Sequence, residues 1–442
     1  MVKKSTFSDP IVVKAEMSNG MKVLLVKTNS QNLVSVGMFV KAGSRYETLE
    51  NNGIAHFLEH MTFKGTKKRN AKKLNEDLDS VGAQYNASTS YEYTHYDIHG
   101  LSRDINLFLD IIVDIYYNPI FKESDIKTER RVVIEELKMY QDKHDRVLEE
   151  IINAKLYANT SLEMPIIGTI DNIKKFTKKD LEEFRNKFYS HNNSLLVVCG
   201  DINLKTIPNT LKKTFSKYSK KFKNPRCVQQ QFVITPQKRP YLYIRKLTDT
   251  CTLNQTLVYI TFRTFGNNHP FSVITDLVAD IFSNGSSSRL FTLLRNKLGV
   301  TYFSNAYNEQ YNDFGSFIIS LGIDPNRVNE VIKAVLDEVK KLKKKLITNK
   351  EMQKIQNIRE TDINLRLQNP SDYLYYYGFE ELFSNEDDPF SIYHHIAQIN
   401  EVSPNDIRIV CNEIFTPSRL NIFVYGNFDK KNQLIKIMED FD

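Results

Sequence analysis

The chain has 442 residues, with 60 Lys and Arg against 53 Asp and Glu and a formal net charge of +7. That length allows two or more domains, each with its own core, and no apolar run approaches the ~18 residues that a membrane span needs. The basic excess comes without a P-loop, zinc-finger spacing or an aromatic RNA-binding signature, so no nucleic-acid partner is expected, and the densest run, Lys340–Lys345, reads as a solvated helix face.

From the N-terminus, MVKKSTFSDPIVVKAEM has two lysines but no apolar stretch of the kind a secretory signal carries, and it is too short and too acidic for a mitochondrial presequence. A cytoplasmic protein is the expectation. Cys199, Cys227, Cys251 and Cys411 are scattered without C-x-x-C spacing and read as reduced thiols. Strand character starts at Met21–Lys27 and returns at Val34–Val40. The chain then reaches His56-Phe57-Leu58-Glu59-His60, an H-x-x-E-H run among apolar residues. On a helix, Glu59 falls about 60° to one side of His56 and His60 about 40° to the other. One face then offers two nitrogen ligands to zinc and a carboxylate that can take a proton from water. The same pattern also suits a buried His pair bonded to Glu59 as a structural cluster.

Two histidines do not hold a zinc, and Ser124–Tyr140 (SDIKTERRVVIEELKMY) offers a third ligand. It reads as an amphipathic helix with Ser124 as N-cap and Val132, Val133, Leu137 and Tyr140 apolar. Glu129 and Glu136 share the face that carries the apolar stripe, whereas Glu135 points about 100° away, toward solvent. Carboxylates on an apolar face need a cation. The expectation is one zinc per chain, bound by His56, His60 and Glu136, with Glu129 supporting the histidines from behind. The alternative is that both glutamates pair with Lys or Arg.

Further along, an internal repeat appears. Asp180–Asp201 aligns without gaps to Asp406–Asn427, each a helix, a turn, a strand-like run and a glycine, Gly200 or Gly426. A weaker echo sets Leu74–Tyr85 over Phe291–Tyr302. Two homologous α+β domains follow, 1–216 and 240–442, joined by the basic stretch 217–239 with Pro225 and Pro236. Only the first copy carries the histidine-glutamate run.

GIAHFLEHMTFKGT (53–66), VGAQYNAST (81–89), ERRVVIEE and, downstream, MPIIGTIDNIKKFTKKDLEEFRNKFY (164–189) and SSSRLFTLLRNKLGVTY (286–302) resemble the pitrilysin/insulinase family of zinc peptidases, M16. Within it the likeness is closest to the processing-peptidase branch, which includes the mitochondrial processing peptidase β subunit and short bacterial relatives. The resemblance covers nearly the whole chain. It implies in each domain a mostly antiparallel sheet with packed helices, the LuxS/MPP-like metallohydrolase fold. It also implies that the third zinc ligand lies at Glu136, with Glu129 as the second family glutamate. Arg295 and Tyr302 match an arginine–tyrosine pair that assists substrate or oxyanion binding, and Asn86 and Ala87 lie where a peptide adds to a strand edge.

The reaction so implied is hydrolysis of peptides or unfolded segments inside a clamshell chamber, with Glu59 as general base. A chain carrying both the zinc set and the Arg295/Tyr302 pair suits a homodimer; a heterodimer with an inactive partner, or a non-catalytic subunit of the same fold, is the alternative. The family's two acids that read basic presequences correspond here to Arg146 and Glu150, so one has become a cation, which argues against arginine-directed presequence cleavage. The glycine-rich run before the second-domain SSRL is reduced to Ser283-Asn284-Gly285.

Overall fold

A computed structural model describes residues 10–216, 237–247, 254–384 and 391–441, apart from the side chains of residues 301 and 302. The basic stretch read as a linker, 217–239, falls almost wholly outside the described residues, as do Cys227 and Cys251; Cys199 and Cys411 are free and buried. The chain divides into two units, Met1–Gln230 with Asn364–Ile392, and Gln231–Ile363 with Tyr393–Asp442. No helix among the described residues is long and apolar enough to cross a membrane.

The first unit holds one sheet of six strands, β1 (Ile11–Glu16), β2 (Lys22–Lys27), β3 (Leu33–Val40), β4 (Gln84–Thr89), β5 (Thr94–Leu101) and β6 (Ser194–Gly200), in the order β1-β2-β6-β3-β5-β4. Every neighbouring pair is antiparallel except β2–β6. The helices that matter for the site are α1 (Ile54–Thr62), α2 (Ala71–Asp79), α3 (Ile105–Tyr117) and α4 (Glu123–Gln141). Alternation along β3 sends Val34, Val36, Met38 and Val40 into a core with Leu58 of α1, Phe108 and Ile112 of α3 and Val133 of α4. Each such side chain contributes about 1.5–3 kcal/mol on burial.

The opposite face of β3 is buried as well, because helix Pro370–Phe383 returns from the distal part of the chain to cover it. The approach is close. A Cβ on Gly37 would lie 2.9 Å from Leu374, and one on Gly378 would lie 2.5 Å from the Phe39 ring. Beneath this helix the wholly buried Asp97 sits 3.2 Å from His95 Nε2 and 2.8 Å from His99 Nε2, and the Tyr375 hydroxyl lies 3.4 Å from His99 Nε2. The segment 364–392 therefore clusters with the first unit, so the division is not one cut in the sequence.

The second unit repeats the plan with β7 (Tyr241–Arg245), β8 (Thr256–Phe265), β9 (Thr301–Gln310), β10 (Phe314–Ile323) and β11 (Leu420–Tyr425), ordered β7-β11-β8-β10-β9. Again one pair is parallel, β7–β11, at the place that β2–β6 holds in the first sheet. The aligned repeat has the same local devices. Thr177 with Asp180, and Ser403 with Asp406, form capping boxes on helices Lys178–Phe188 and Pro404–Ile414. Gly200 and Gly426 close the following strands at φ +121° and +134°, where a side chain would be strained. The α+β class and the paired domains are thus as the sequence implies.

Candidate metal centre

Helix α1 begins after Gly53, at φ +96°, where a Cβ would meet the Ile167 carbonyl at 2.7 Å. It buries Phe57, Leu58 and Met61 and leaves His56, Glu59 and His60 half-buried on the remaining face. Helix α4 buries Ile126, Val133 and Leu137 together with Glu129, and Glu136 stands half-buried on the same side. Ser124 is not its N-cap. The helix starts one residue earlier, after Lys122, and Glu123 and Asp125 place negative charge in the first turn, where the N–H groups point.

One donor atom each from His56, His60 and Glu136 lies within 4.8 Å of the other two, the only such cluster among the described residues. His60 Nε2 is 3.4 Å and His56 Nε2 3.8 Å from Glu136 Oε2. Ligands about 2.0–2.1 Å from a tetrahedral zinc stand roughly 3.3–3.5 Å apart. The His60–Glu136 separation falls in that range and the His56–Glu136 separation is slightly wider, so small side-chain shifts let this donor set fit the ion. Glu136 Oε2 is buried and makes no well-formed hydrogen bond among the described residues, whereas its Oε1 accepts from the Tyr140 hydroxyl at 2.9 Å. His60 Nδ1 lies 2.9 Å from Glu129 Oε1, and the other oxygen of Glu129 lies 2.6 Å from Lys64 Nζ. A proton on Nδ1, directed at Glu129, leaves the Nε2 lone pair free to bind a metal.

Electrostatics separates the two imidazoles. Burial and the neighbouring His60 push His56 down to about 4, against the pull of Glu136. In His60 burial is outweighed by the bonded Glu129 and the nearby Glu136 carboxylate, which hold it up to about 9. Glu136 and Glu129 both lie below the usual carboxylate range. Burial raises each, but His60 and His56 for the first, and His60 and Lys64 for the second, outweigh it. Burial raises Glu59, although a 2.7 Å hydrogen bond from the Thr89 hydroxyl opposes the shift.

A cavity of about 260 Å³ opens beside Glu59 and His60, with Phe63, Lys64, Tyr85, Asn86, Ala87 and Glu129 on its walls. Asn86 and Ala87 belong to β4, which pairs only with β5 among the described strands and so ends the sheet with a free edge. Arg295 is in the second unit, on a π-helical segment Phe291–Lys297, exposed, with its guanidinium 5.7 Å from the Phe291 ring centre. Tyr302 is on β9, and its side chain lies outside the described residues. Arg146 is exposed and bonded to Glu149, and Glu150 borders a second cavity of about 500 Å³ with Tyr140 and Ile167.

Three contributors escaped the sequence reading. Thr89 and Lys64 are ordinary strand and loop residues whose partners are 30 or more positions away. Tyr140, read only as part of the apolar stripe, sits one turn beyond Glu136, and that spacing was the available signal.

The model of "Insulinase (Peptidase family M16)" matches residues 22–170, and that of "Peptidase M16 inactive domain" matches residues 175–359. The uncharacterized zinc protease YmxG of Bacillus subtilis is 29% identical over 400 residues, 90% of this chain and 94% of that protein. The β subunit of the mitochondrial-processing peptidase of Bos taurus is 28% identical over 406 residues, 90% and 80% of the two chains. Among solved structures, a protease from Helicobacter pylori superposes with a TM-score of 0.87 at 24% identity, covering 95% of this chain and 100% of that one, a likeness of fold.

Proposed function

The chain belongs to peptidase family M16, and from that premise we propose that it is a zinc-dependent endopeptidase acting on peptides or unfolded segments, with His56, His60 and Glu136 as metal ligands and Glu59 as general base. The observation that carries the reading is the convergence of one donor atom each from His56, His60 and Glu136 to within 4.8 Å of one another, with Glu59 beside His60 on the wall of the same cavity. A zinc bound there supplies Lewis acidity toward water and toward the scissile carbonyl. Glu59, steadied by the Thr89 hydroxyl, takes the water's proton and returns it to the leaving amine. Glu129, with Lys64 behind it, holds His60 in the metal-binding tautomer.

The free edge of β4 at Asn86 and Ala87 suits addition of an extended peptide by main-chain hydrogen bonds, a contact that reads backbone more than side chains. Arg295 and Tyr302 act as donors to substrate or oxyanion in a homodimer. Equal mixing of Glu59→Gln and Arg295→Ala chains should restore part of the activity if sites are completed across that dimer; no recovery counts against such sharing.

The reading is tested with a mixed library of 10- to 30-residue peptides, wild type beside Glu59→Gln, zinc added, and cuts mapped by mass spectrometry. Cleavage by wild type alone supports the peptidase and shows its preference. No cleavage by either protein moves the assignment to a non-catalytic subunit of the same fold.

A further inference from the structure

His56 is the third residue of α1 and so lies in the first helical turn, whose N–H groups have no partners within the helix. A helix end left so fluctuates, and a ligand placed there fluctuates with it. The residue preceding α1 is Gly53, which has no side chain with which to cap it. By contrast, α2 is capped by Asn70 on Lys73 N–H, and helix Lys178–Phe188 by Thr177, each directly adjacent.

The cap of α1 comes from further back. Glu47 is 4% exposed, and its carboxylate accepts N–H bonds from Gly53 at 2.8 Å and Ala55 at 2.8 Å, and a third from Asn52 Nδ2 at 2.9 Å. Asn52 Nδ2 also donates to the Pro165 carbonyl at 2.9 Å, and Gly53 lies against Ile167 and Gly168, so the anchor itself is braced. All three groups facing Glu47 are donors. Burial raises Glu47 to about 8 while the three donors pull it down. The ionised form accepts from all three, whereas an amide turns its own N–H₂ against at least one.

We propose that Glu47 is a positioning residue for the metal centre: by fixing the first turn of α1 it sets where His56 meets Glu136. The inference rests on the zinc ligation proposed above. It differs from a purely structural role in what it moves, because the nearest ligand is one position beyond the bonded Ala55 N–H.

The test compares zinc dissociation constants from chelator competition, and visible spectra of the cobalt-loaded protein, for wild type, Glu47→Gln and Thr177→Ala. Glu47→Gln should weaken zinc binding about 10- to 100-fold, the usual effect of losing outer support, and alter the cobalt spectrum. Thr177→Ala removes the cap of a helix that carries no ligand and should lower Tm with zinc affinity unchanged. Equal zinc affinity and an unchanged spectrum in Glu47→Gln overturn the inference. If that variant does not fold, Asn52→Ala, which removes one of the three donors, should show a smaller loss in the same direction, and unchanged affinity there overturns it instead. Failure of wild type to bind zinc at all overturns the ligation beneath it, a result distinct from equal binding by both proteins.

Discussion

The two units follow one order of elements, and at the same place in that order they solve opposite problems. In the first, α1 and α4 bring two imidazoles and Glu136 Oε2, buried without a well-formed hydrogen bond among the described residues, to within 4.8 Å of one another. In the second, the corresponding helices are Ser272–Ser283 and Asn349–Arg366. There Asp280, raised to about 6 by burial against the pull of Arg359, lies 2.8 Å from the Arg359 Nε, and Asn284 bridges it to Asp362. A guanidinium from the chain stands in the role that the proposed reading gives to a metal in the first unit. The same scaffold thus matches its buried carboxylate with imidazoles or with arginine, and on the proposed reading only the first arrangement takes a metal.

The largest effect that sharpens this contrast is chemical. Glu59→Gln should lower turnover about 10³-fold with zinc retained, measured by peptide cleavage beside metal analysis. His60→Ala should remove zinc and activity together, and wild type should hold one zinc per chain, the second unit contributing none. Next, Glu129→Gln should weaken zinc binding roughly 10- to 100-fold by freeing His60 to rotate and change tautomer, measured by chelator competition. Arg359→Met should leave zinc affinity untouched and destabilise the protein by about 1–2 kcal/mol in denaturant, a figure reduced because Arg359 is 29% exposed. Adding Asp280→Asn should recover much of that loss.

The smallest effect concerns a second buried carboxylate, Asp97, held between two imidazoles. Burial raises Asp97, but His95 and His99 outweigh it and hold the group below its ordinary range. Its stabilising contribution is therefore present above about pH 4 and lost as pH falls through the lowered value. Asp97→Asn should flatten the fall of Tm between pH 5 and 3; an unchanged slope shows that the pair contributes nothing to acid stability.

Much of the site was legible because it is periodic. Four-residue spacing put His56 and His60 together, seven-residue spacing joined Glu129 to Glu136, and the gapless repeat anticipated two matching sheets. What remained hidden depends on groups distant in sequence or on aperiodic patterns. Glu47 gives no sign of capping because the helix it serves starts seven residues later. Helix Pro370–Phe383 is aromatic on several sides, with Tyr373, Tyr375, Tyr376, Tyr377 and Phe379, so no stripe in it points to a partner sheet. Strand β1 carries only a short apolar run, Ile11–Val13, and lies half-exposed at the sheet's edge, with Ile11 55% and Val13 37% exposed, so its sequence has no core-facing alternation to mark it.

The return of helix Pro370–Phe383 to β3 has a consequence for how the chain is made. Translation completes β6 long before it reaches Phe383, with roughly 180 residues between them, so one face of the first sheet waits about 10–40 s for its cover at ordinary rates of synthesis. During that interval Phe39 and its neighbours are open to wrong partners, and the nascent chain needs either a chaperone or slow association there. A fragment ending near residue 216 would carry every expected zinc ligand and still lack the outer layer of its own sheet.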